Sequence, residues 1–223
     1  MTRVWEETEA AVKSTTDVRD GLARIIGLCA TSQPHSDWDR FRELDIESDL
    51  AHLERWMQGV LTSDPPGASI TGLWFGLFNP IRDGVPTADL YVAGSPYNPD
   101  DEEWNIPLRW RPATGEARSS VLDGIYRIAY PDFLAHGGST QAEKEAYDEA
   151  MNSLLGNEAE YPLCLAYAGL AVRWLATQLE PELLLADATE RVLVTGFDSG
   201  DYICIGTLTA AGLRFSRETF RLA

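Results

Sequence analysis

Positive charge is in short supply in this chain. Eighteen Lys and Arg stand against 35 Asp and Glu, a formal net charge of −17 over 223 residues. Phosphate groups are held by Lys and Arg, so this balance argues against a nucleic-acid partner or an anionic membrane. It allows a basic protein partner drawn in by long-range attraction. The competing reading is that the acidity only keeps the chain in solution. Cysteine is scarce too. Cys29, Cys164 and Cys204 are odd in number, far apart and set among apolar residues. No pair has metal-ligand spacing, and buried free thiols in a reducing compartment are expected. None has the cationic neighbours that lower a thiol pKa. The N-terminal MTRVWEETEA carries no apolar run, and no segment approaches the length that crosses a bilayer. A cytoplasmic protein is expected.

Catalytic signatures are missing as well. There is no P-loop, dinucleotide fingerprint, HExxH or nucleophile elbow. None of the three histidines has a recognised spacing to a cysteine or a second histidine. Triad members can lie far apart in sequence, so an enzyme is disfavoured rather than excluded. The four acids Asp100 to Glu103 lack the spaced ligands and glycine of a Ca²⁺ loop and read as solvated. No catalytic residue, metal ligand or cofactor is assigned.

What the chain does have is a dense run of strand formers, Ser69–Gly94. Ile70–Phe78 is uncharged, aromatic and branched, with turn residues on both sides, as a buried strand requires. Alternation puts Leu73, Phe75 and Leu77 on one face and Gly72, Trp74 and Gly76 on the other. Trp74 between two glycines marks a bare strip, open to a ligand or to a packed helix. Thr87–Gly94 reads as the next strand, and Ile106–Trp110 as a short one.

Val4–Ala30 has helical spacing, with a second start at Thr16 or Asp17. Asp45–Ser63 is amphipathic, with Ile46, Leu50, Leu53, Met57 and Val60 in one stripe. Ser119–Tyr130 and a segment from Ser139 or Thr140 to Leu155 read as further helices. Pro162–Leu179 is apolar nearly all round, so it is expected in the core, where its small residues would fit around Trp74. Arg191–Phe197 and Tyr202–Thr209 form a hairpin around the turn Asp198–Asp201. Gly212–Phe220 adds a last strand in a basic tail with Arg214, Arg217 and Arg221.

The order is a helical part (1–63), strands (69–111), helices (119–180) and a C-terminal hairpin (190–220). Segregated elements of this kind predict one α+β domain over 1–223, with a mainly antiparallel sheet packed against helices.

Two sites follow. The segment from Asp37 to Glu54 holds seven acids, Asp37, Asp39, Glu43, Asp45, Glu47, Asp49 and Glu54, against Arg40 and Arg42. It is the expected contact surface for a basic partner. The alternative is a small-molecule or enzymatic site on the Trp74 strip with Arg109, Trp110 and His136. A homodimer without a further ligand is a third reading.

The combination GLWFGLFNP, DLYVAGS, EEWN and the late VTGFDSGDYICIG hairpin resembles small acidic bacterial proteins of uncharacterised families. Some of these are assigned as immunity proteins of polymorphic toxin systems. The resemblance implies a cytosolic protein that binds and blocks a toxin, and it carries over no site residue.

Overall fold

Helical spacing in the first thirty residues produces two helices, α1 (Thr2–Ser14) and α2 (Val18–Ser32). Asp17 starts the second, its carboxylate accepting from the Asp20 amide at 2.9 Å. A 3-10 helix (Ser36–Glu43) follows, then α3 (Ile46–Ser63), capped by Asp45. The computed structural model describes residues 2–14, 17–82, 85–98, 107–130, 155–198 and 201–215. The expected Ser139–Leu155 helix lies almost wholly outside them, as do His136, Asp100 to Glu103, Arg217 and Arg221.

The strands are β1 (Gly72–Phe78), β2 (Ile81–Arg82), β3 (Val85–Pro86), β4 (Asp89–Ser95), β5 (Glu116–Ala117), β6 (Glu190–Phe197), β7 (Tyr202–Thr209) and β8 (Gly212–Phe215). Six of them form one sheet in the order β5-β4-β1-β6-β7-β8. Every neighbouring pair in it is antiparallel except the central β1–β6 pair. β2 and β3 make a separate two-stranded ribbon in the connection after β1. The strand expected at Ile106–Trp110 is reduced, among the described residues, to a single bridge between Trp110 and Gly94. The helices α4 (Ser120–Ala129), α5 (Asn157–Gln178) and α6 (Pro181–Leu185) complete an α+β fold.

The core is organised on α5. It touches α1, α2, α3, α4 and the strands β1, β6, β7 and β8, so nearly its whole surface is buried. It begins five residues before Pro162, which lies inside the helix rather than at its first position. The small residues of α5 serve its helical neighbours. A Cβ on Gly169 would stand 2.7 Å from Val12 of α1. The same closeness recurs where Gly21 of α2 meets Leu170, at 2.8 Å.

This corrects the expected match between α5 and Trp74. Leu73, Phe75 and Leu77 face the main core, together with Leu193, Ile203 and Ile205. Trp74 lies on the opposite face, in a small cluster with Val194 and Cys204. It is 3 % exposed. The gap beside it is filled from the sheet itself. Tyr91 pairs with Gly76 across β1 and β4, and its ring occupies the space a Cβ would need. Tyr202 meets Trp74 edge-on, with ring centroids 6.0 Å apart. The strip is a packing seam, built by cross-strand aromatics.

Arg191 joins the segments that lead into the two strands of the parallel pair. Its fully buried guanidinium donates to the carbonyls of Leu185, Ile70, Pro66 and Gly67. Burial lowers its pKa to about 10. Cys29, Cys164 and Cys204 are free and buried. Among the described residues, no helix is long and apolar enough to cross a membrane.

Candidate functional site

The acidic surface is built on a pinned segment. Trp38 and Phe41 of the 3-10 helix are buried in the main core, with their rings 5.4 Å apart. His35 caps the helix through Nδ1, which accepts from the Asp37 amide at 3.1 Å. The Trp38 indole donates to the Gln33 carbonyl at 2.7 Å. The intervening polar residues must therefore face water. Asp39 is the extreme case, with 92 % of its side chain exposed and Arg42 3.7 Å away. Glu43 and Asp45 are exposed, and Asp45 also accepts from the Ser48 amide. Asp37 is less open and lies 3.6 Å from Arg40. Glu47 is exposed but pairs with Arg19 of α2, whose Nε donates at 3.0 Å. Glu54 is half-buried and accepts from Gln58.

Asp49 does not belong to this surface. It is 2 % exposed. Its oxygens accept from Ser119 Oγ at 2.7 Å, the Ser120 amide at 2.6 Å, Ser120 Oγ at 3.0 Å and Tyr167 Oη at 2.5 Å. The carboxylate caps α4 and ties it to α3 and α5. Burial and the nearby Asp49 charge together hold Tyr167 well above the usual phenol range. In the sequence Asp49 is one of the seven acids of the expected Asp37–Glu54 contact surface. A partner seventy residues away gives no local signal.

The acidity reaches beyond the expected segment. Glu180, Glu182, Asp187 and Glu190 are exposed around α6, and Arg214 approaches Glu190 at 3.5 Å. Sequence reading missed this run because α6 is short and apolar at its centre.

The alternative site is not assembled. Trp74 is sealed, its Nε1 donating to Tyr91 Oη at 3.0 Å. Tyr91 in turn donates to Asp198 at 2.6 Å. Trp110 belongs to the main core and donates to the Asp64 carbonyl at 3.1 Å, so the two indoles fall in different clusters. Arg109 is exposed and is held by its backbone amide on Gly94. His136 lies outside the described residues.

Burial pushes Cys29 up to about 11 and Cys164 well above its usual value. Among the described residues, no group of three or more His, Cys, Asp or Glu side chains is placed to hold a metal ion.

A cleft of about 550 Å³ opens between α3, the β2–β4 region and the start of α4. Arg55, Arg82, Arg118 and Arg127 line it together with Asp49, Asp89 and Asp123. Arg82 is committed to the buried Asp89, its Nε donating at 2.7 Å. Arg127 donates to Asp123 at 2.8 Å.

No family model matches the chain, and searches of curated proteins and of solved structures return no match.

Proposed function

We propose that the protein is a non-catalytic binding protein. It engages a basic protein partner through the acidic shoulder formed by the 3-10 helix and the start of α3. An immunity protein that blocks a basic toxin is the form of this activity that the sequence resemblance favours. The observation that carries the reading is the mounting of the charge. Asp39, Glu43 and Asp45 project from a segment whose Trp38, Phe41 and Ile46 are buried. Carboxylates on a fixed base lose little freedom on binding, which favours affinity as well as rapid encounter. The net charge of −17 extends the attraction beyond the contact itself. The free cysteines support a cytoplasmic location for the encounter.

The test is capture of a partner on the immobilised full chain at low and high salt, with wild type and an Asp39→Lys/Glu43→Lys variant. A basic protein should be retained by the wild type, released by salt and lost by the variant. Co-expression with that partner should then restore growth if the partner is toxic. Retention of acidic proteins only, or equal retention by both forms, contradicts the proposal.

A further inference from the structure

We infer that the arginine-lined cleft binds a small anion that carries a hydroxyl group next to its charged group. The inference is independent of the acidic shoulder. It starts from what is unspent in the cleft. Acids outnumber bases almost two to one in this chain, yet Arg55 and Arg118 have no ion-pair or hydrogen-bond partner among the described residues. A free guanidinium offers planar, paired donors that match a carboxylate or phosphate. Two of them on one concave surface define a place for an anion.

The carboxylates in the same cleft do not compete for these arginines. Asp49 is saturated by Ser119, Ser120 and Tyr167. Asp89 is held by Arg82. Asp123 accepts from Arg127 through Oδ2, and its Oδ1 is buried with no hydrogen-bond partner among the described residues. A buried acceptor without a donor is costly, so this oxygen is a position where a donor is wanted. The ligand that answers both features has an anionic head for Arg55 and Arg118 and an adjacent hydroxyl for Asp123. Hydroxycarboxylates and polyol phosphates share that chemistry. A volume of about 550 Å³ is in the range of small-ligand sites. The exposed His52 and Ser48 stand at the same cleft to take further oxygens.

Calorimetry on the full chain tests this with acetate, glycerate, inorganic phosphate and glycerol 3-phosphate. One hydroxylated anion should bind about tenfold or more tightly than its simple counterpart, the gain expected for a hydrogen bond to a charged group. The two series separate a carboxylate site from a phosphate site. Arg55→Gln and Arg118→Gln, both at exposed positions, should each weaken binding by about tenfold. Asp123→Ala should abolish the preference for the hydroxylated anion without weakening its simple counterpart. Unchanged melting temperatures of the two arginine variants would establish that they fold. The inference is overturned if no anion binds at millimolar concentration, if binding survives both arginine substitutions, or if the hydroxyl gives no advantage.

Discussion

Arg191 and Asp49 show how single polar side chains decide the interior. Arg191 supplies donors to four carbonyls that water does not reach. Arg191→Met would fill the volume and leave those carbonyls unpaired. A loss of about 3 kcal/mol or more is expected in urea unfolding. Asp49→Ala removes the acceptor shared by Ser119, Ser120 and Tyr167 and should cost a similar amount, about 3 kcal/mol. Glu160 behaves in the opposite sense. Burial raises its carboxyl pKa against the opposing hydrogen bonds of Asn79 and of Tyr130 Oη, the latter long at 3.4 Å. The folded state therefore holds its proton more tightly than the unfolded chain. Stability falls as pH rises from the ordinary Glu range through the raised value. Glu160→Gln should stabilise the protein at neutral pH, and the gain should vanish below about pH 4. Melting temperatures measured from pH 4 to pH 7 check both the sign and the window.

Elements were legible in the sequence where a local rule controls them. Asp17, Asp45 and Ser119 each stand at a helix start, and each caps one. Alternation sorted Gly72–Phe78 into its two faces, but which of them meets the core helix was not legible, and it is the Leu73, Phe75 and Leu77 face. The parts that were not legible depend on contacts between distant segments. The helix formed by residues 162–178 and the five residues before them is buried as its composition requires, but its glycine faces α1 and not Trp74. Tyr91 reads only as a strand residue, and the antiparallel register with β1 is what sets its ring over Gly76. Asp49 reads in the sequence as one more acid of the Asp37–Glu54 segment, because its partners Ser119, Ser120 and Tyr167 lie far along the chain. The Gly76–Tyr91 pairing makes a sharp prediction. Gly76→Ala should cost about 1–3 kcal/mol through overpacking, and most of that cost should disappear in a Tyr91→Ala background. A double-mutant cycle measures the coupling, which should be near zero if Tyr91 does not fill the gap.

At the scale of the whole molecule, the fold separates an apolar interior from a strongly acidic exterior. One contiguous cluster of buried residues runs from Ala11 to Leu208, so most of the charge is left to the surface and only a few groups such as Asp49, Glu160 and Arg191 are buried. Two acidic runs, on the 3-10 helix shoulder and around α6, contrast with the arginines gathered in one cleft. Charge placed this way acts first on encounter. The measurement that tests the proposed function most directly is the association rate of the captured partner, followed by stopped flow as salt is raised from about 20 to 500 mM. The account predicts a steep fall in association rate with salt for the wild type, and about tenfold slower association with a shallower salt dependence for Asp39→Lys/Glu43→Lys. An association rate that is indifferent to salt, or unchanged by the double reversal, would contradict it.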